Sequence, residues 1–114
     1  MTFDRAAQEA ATRAQWAEIV ATAKVPAQAM IDLHFTATDG ADAVEFMGWL
    51  EDNGYDVEHY PAGAFEEGDE EEVIEAQTDA MALTLDAILA EEKRTTDAAL
   101  THGFRPTGWG FMGL

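Results

Sequence analysis

Residues 31–36 read Ile-Asp-Leu-His-Phe-Thr, an unbroken alternation of apolar and polar side chains. Successive residues of a strand point to opposite faces, so Ile31, Leu33 and Phe35 share one face while Asp32, His34 and Thr36 share the other. A strand covered by helices on both faces needs a near-continuous apolar run, and this one lacks it. A chain built around this segment must stack its helices on one side of a sheet and leave the other side polar.

The neighbouring segments have the periods such a fold requires. Residues 3–23 are predicted to form a helix, with Trp16, Ile19, Val20 and Ala23 as its apolar stripe and Pro26 marking its exit. Residues 41–53 return to helical spacing through Ala43, Phe46, Met47 and Leu50. Thr38 or Asp39 is the expected cap, and Asn53-Gly54 the left-handed stop. Tyr55 to Tyr60 alternates again, setting Tyr55, Val57 and His59 against Asp56, Glu58 and Tyr60. A third strand, Val73 to Ala80, is expected to turn Ile74, Ala76 and Thr78 to the core. Thr84 caps a helix over 85–102, with Leu85, Leu89, Thr96 and Leu100 as the expected inner face and Gly103 as its end. The segment from Phe104 onward is extended. The order is α, then β-α-β twice, with no internal repeat. Two split β-α-β units point to an α+β ferredoxin-like plait: a four-stranded antiparallel sheet with helices on one face, here with an extra N-terminal helix. The expected organisation is one domain over 1–114, with the helix at 3–23 and the plait at 29–112.

Composition narrows the function classes. Twenty-three acids against six bases give a net charge of −17, which repels phosphate backbones and argues against direct nucleic-acid binding. The same surface suits a basic partner, although it also serves solubility. The absence of cysteine removes disulfides, thiolate catalysis and cysteine-based zinc sites. With no apolar leader and no run of membrane-spanning length, the chain reads as soluble and cytoplasmic, without membrane contact.

Candidate chemistry is sparse. Seven carboxylates crowd positions 66–75, among them Glu66, Glu67, Glu70, Glu71, Glu72 and Glu75, but without the spacing of a calcium loop. They read as a solvated acidic loop and an electrostatic handle. His34 and Asp32 share a strand face but make an incomplete metal site. His59 is expected toward the helices, and His102 lies at a helix end. No cofactor motif is present, and the carboxylates form no constellation for acid–base catalysis, so the chain reads as a non-enzyme. The end of the chain, "HGFRPTGWGFMGL", reads as a last strand rather than a frayed tail. Glycines on both sides of Trp109 clear the opposite sheet face, which lets another backbone approach or the strand bend. Trp109 is expected under the helices, with Phe104 in the core. Phe111, Met112 and Leu114 are candidates for an exposed patch, and Trp109 or Phe111 for an aromatic docking anchor.

Two motifs in this order, "LEDNGYDVEHY" and the terminal Gly108-Trp109-Gly110, resemble the family of regulators of ribonuclease E activity B, the RraB family, over roughly residues 12 to 112. Family members carry a tyrosine and an aspartate just before the Gly-Trp-Gly, where this chain has Pro106 and Thr107, and enterobacterial members have a long acidic tail beyond it. The resemblance implies a protein that inhibits ribonuclease E by engaging the nuclease rather than its RNA. The expected contacts are Asp32, His34, Glu58 and Glu75 on the polar sheet face, together with the acidic loop. The alternative is a small-molecule-sensing regulatory domain, which an apolar pocket with convergent polar groups would favour.

Overall fold

The computed structural model describes residues 3–38, 40–61 and 71–113, Met112 by its backbone only. Glu66, Glu67 and Glu70 lie outside the described residues, as do Asp39 and Leu114.

Among the described residues, three helices and five strands follow in the order α1 (Arg5–Thr22), β1 (Gln28–Ala37), α2 (Ala43–Asp52), β2 (Asp56–Tyr60), β3 (Val73–Gln77), β4 (Met81–Ala82), α3 (Leu85–Thr101) and β5 (Phe104–Gly113). All strand pairs are antiparallel. The alternating strand β1 is central, flanked by β3 and then β2 on one side and by β5 on the other. The predicted third strand is interrupted. Asp32 faces Gln77 and Ala29 faces Met81, so three steps along β1 are matched by four along its neighbour. One residue is extra, and β4 resumes the line of β3 beyond this bulge. Thr78 holds the break together: its hydroxyl accepts from Ile31 N at 2.9 Å, and its own N–H donates to Ile31 O at 2.9 Å.

Ile31, Leu33 and Phe35 are buried beneath the helices, as the alternation requires. Phe46 of α2 meets Phe35 edge-on with ring centroids 5.1 Å apart, and Phe104 of β5 at 5.2 Å. The turn out of α2 is a Schellman motif: Tyr55 N donates to Leu50 O, Gly54 N donates to Glu51 O, and Gly54 takes φ +89°. Arg94 of α3 clamps this turn, donating to Asn53 O and Oδ1 and lying over the Tyr55 and Trp49 rings. Gly103 ends α3 with φ +80°, and a Cβ there would stand 2.7 Å from the Ala41 Cα, so only glycine fits.

Several local expectations are corrected. Asp42, not Thr38 or Asp39, caps α2, its Oδ1 accepting from Glu45 N. On α1, Trp16 and Ile19 pack against the core, but Val20 is 48% exposed, and the buried position is Thr12. On α3, Leu100 is 40% exposed, and the buried line runs through Ile88, Glu92, Thr95 and Ala99. In both helices a polar residue lies on the buried line, because α1 and α3 pack on each other and their polar groups pair across the contact: Gln8 Nε2 donates to Thr96 Oγ1, Thr12 Oγ1 donates to Glu92 Oε1, and Arg5 pairs with Asp97. A stripe counted from apolar residues alone misses such positions.

Strand β5 also departs from simple alternation. His34 faces Gly108 but Phe35 faces Pro106, which leaves Thr107 as an extra residue. This bulge brings Phe104 and Trp109, an odd number of residues apart, onto the same helix-covered face.

Candidate interaction face

Antiparallel register assembles the polar face in rows, one residue from each strand. The first row is Asp56, Gln77, Asp32 and Gly110; the second is Glu58, Glu75, His34 and Gly108; the third is Tyr60, Val73, Thr36 and Arg105. Asp32, His34, Glu58 and Glu75, widely separated in the sequence, are thereby brought together. With Asp56 and Gln77 they line an open concavity of about 300 Å³.

The electrostatics of these rows are unbalanced. Glu58 and Glu75 stand directly opposite each other, a like-charge pairing that destabilises a sheet. Neighbours relieve it in part. His34 Nδ1 lies 3.5 Å from Glu75 Oε1, and the Tyr60 hydroxyl donates to Glu58. That hydrogen bond and the surrounding carboxylates push the Tyr60 phenol up to about 12. Gln77 Nε2 donates to Asp32 Oδ1 at 2.7 Å. Across the three rows, four carboxylates face one guanidinium, that of Arg105. Gly108 and Gly110 end the first two rows in bare backbone. A Cβ at either would meet nothing within 4 Å, so no packing constraint demands glycine there. What the two glycines do is leave the β5 side of the face flat.

The other nominated residues lie elsewhere. Trp109 and Phe111 face the helices with Leu33 and Ile31, Trp109 buried and Phe111 partly so. They are not part of the acidic face, and the proposed exposed patch at Phe111 is packed against the core instead. His59 is on the helix side, as expected, but at the sheet edge, where its Nε2 lies 2.7 Å from Glu72 Oε2. Glu71 is exposed, two residues before the start of β3. Among the described residues, no three histidine or carboxylate side chains gather as ligands for one metal ion, and no helix is long and apolar enough to cross a membrane.

Sequence reading missed Glu92, although its spacing from Ile88 and Thr95 is that of a buried helical line. Glu92 is 7% exposed. Burial pushes its carboxyl above the usual range, the Thr12 hydroxyl opposes this, and the Glu9 charge adds to it. The folded chain therefore holds this proton to a higher pH than the unfolded chain, and stability is lost as pH rises from the ordinary carboxylate value through the raised folded one. Glu92→Gln removes that loss. Urea melts are expected to show the variant more stable than wild type at pH 8, with the difference shrinking as pH falls toward 4. A pH-independent difference would mean that Glu92 does not titrate in this way.

A family profile described as "Regulator of ribonuclease activity B" matches residues 8–111, nearly the whole chain. The chain belongs to the RraB family. No curated protein matches it. The two RraB motifs now have physical roles. "LEDNGYDVEHY" supplies the Schellman turn that Arg94 of α3 clamps and the Asp56–Glu58 edge of the acidic face. Gly-Trp-Gly supplies the bare ends of two rows and the buried Trp109. The departures Pro106 and Thr107 fall at the β5 bulge.

Proposed function

We propose that this chain is a non-catalytic, cytoplasmic regulator that binds a ribonuclease, with ribonuclease E the leading candidate, and inhibits it by occluding or rearranging it. The observation that carries this reading is the open sheet face, on which four carboxylates from three strands face a single guanidinium. Such a face repels RNA and favours a protein segment rich in lysine or arginine, which would relieve the Glu58–Glu75 repulsion on docking. The family description supports a regulator of ribonuclease activity. The strand order β2-β3-β1-β5, with all three helices against one face, supports reading the scaffold as a ferredoxin-like plait with an added N-terminal helix.

The test is cleavage of a labelled oligonucleotide by purified ribonuclease E from the same organism, with increasing amounts of this protein. Saturable inhibition is expected, with no retardation of the RNA by the protein alone. An unchanged rate at large excess, without binding to the nuclease, would refute the proposal.

A further inference from the structure

Helix α1 is held to the rest of the molecule by a mostly polar join. Along its 18 residues the only buried side chain is Thr12, whereas the shorter α2 buries Phe46 and Leu50. Trp16 and Ile19 give α1 a partial apolar footing on the core. The remaining ties are polar: Arg5 pairs with Asp97, Gln8 Nε2 donates to Thr96 Oγ1 at 3.0 Å, the Thr12 hydroxyl donates to Glu92, and Gln15 Nε2 reaches Trp109 O at 3.4 Å. An open-sided cleft of about 470 Å³ lies between α1 and β5.

The join also carries costs. Among the described residues, the buried side-chain donors without a hydrogen-bond partner are Arg5 Nη1 and Trp109 Nε1. One belongs to α1, and the other to the β5 residue whose carbonyl Gln15 touches. Glu92 adds a carboxyl buried at the same contact. Unpaired buried donors and a buried carboxyl each oppose docking of the helix that covers them. The central core does not need α1, because Phe35, Phe46 and Phe104 pack on one another from β1, α2 and β5.

We propose that α1 is a releasable helix: it undocks from α3 and β5 as a unit while the sheet, α2 and α3 stay folded, and loss of the Glu92 proton favours release. Release uncovers the α3 line through Glu92 and Thr96 and the Trp109 segment of β5. The groups around Glu92 set the direction. Burial raises its carboxyl, the Thr12 hydroxyl opposes this, and the Glu9 charge on α1 adds to it. Asp4 lines the same cleft, to which β5 lends no charged side chain, and the helical neighbours Ile88, Leu89, Thr95 and Thr96 on α3 are uncharged. Despite desolvation, the hydrogen bond from Lys93 and the charge of Arg5 hold the Asp97 carboxyl below the usual range, so the Arg5–Asp97 pair stays charged from pH 5 to 8. Docked Glu92 therefore keeps its proton to a higher pH than released Glu92, and docking weakens as pH rises through the raised value. The device is separate from the acidic face and does not depend on the function proposed for that face.

Native-state hydrogen exchange on the full ¹⁵N-labelled chain tests this. Amides from Thr12 to Ile19 should share one protection factor, at least about 100-fold below those of Leu33 and Phe35 in β1. Low concentrations of urea should leave that factor nearly unchanged, because release exposes little surface compared with global unfolding. It should fall at least about fivefold from pH 5 to pH 8 in wild type, and not in Glu92→Gln. Thr12→Val, which strips the carboxyl of its partner, should lower it about tenfold at pH 8. Protection in α1 equal to that in β1, a gradient rising steadily from the N-terminus as in fraying, an unchanged factor from pH 5 to 8 in wild type, or the full pH response retained in Glu92→Gln would each overturn the proposal.

Discussion

Trp109→Ala is expected to lower folding stability by about 3–5 kcal/mol, the range for deleting a large buried aromatic. Trp109 is 8% exposed, sits opposite Leu33 in the sheet and packs against the helix-covered core. Removing the indole leaves a cavity beneath α1, a helix whose only deeply buried residue is Thr12. That loss is a large part of the roughly 5–15 kcal/mol available to a domain of this size. Urea melts of wild type and variant measure it directly. The competing role is that of an aromatic anchor for a partner. If the loss is under about 1 kcal/mol while ribonuclease binding disappears, Trp109 is an anchor and the structural assignment is wrong.

The second large effect concerns association. Asp32→Asn, Glu58→Gln and Glu75→Gln together should slow binding to the ribonuclease by about tenfold at low salt, with a smaller change in dissociation, because exposed charges act mainly by steering. Added salt should reproduce the effect in wild type, since charges are screened beyond about 8 Å at physiological ionic strength. The folded state should not suffer. Neutralising Glu58 and Glu75 removes a like-charge pair from directly opposed positions, so melts should show equal or greater stability. Stopped-flow association measures the rates. A triple variant that associates at the wild-type rate would remove the sheet face from the encounter. The same measurement on a variant with Glu66, Glu67, Glu70, Glu71 and Glu72 changed to Gln shows whether the acidic run from Glu66 to Glu72 contributes instead.

The acidic face was legible in the sequence to an unusual degree. Period-2 alternation assigns a face to each residue wherever the strand is regular, so Asp32 and His34, Glu58, and Glu75 could each be placed on the polar side from their own segments alone. Their meeting in rows was not legible, because it depends on which strands pair and in what register, and pairing is a contact between segments distant in the chain. Asp56 and Gln77 belong to the same face by the same alternation, but only the register makes them neighbours of Asp32.

The buried polar groups were decided by tertiary structure. Alternation breaks where one strand carries a residue its partner lacks, as at Thr107. Their apolar bulk alone placed Phe104 and Trp109 in the core, but strict alternation would set them on opposite faces, and only the bulge, set by the pairing of β5 with β1, brings both under the helices. Glu92 and Thr12 carry polar side chains on helices whose apolar stripes point elsewhere, and they are buried because α1 and α3 pack together and satisfy them as a pair. The unpartnered Trp109 Nε1 follows from the same packing. The sequence by itself determined the order of helices and strands apart from the break that separates β4 from β3, together with the one-sided sheet, the sign of its open face and the family, since each rests on short-range periodicity, charge or local motif. The rows of the acidic face and the cleft beneath α1 were decided only by the fold, because a side chain's neighbours across a sheet or between helices are chosen by long-range packing rather than by the residues beside it in the chain.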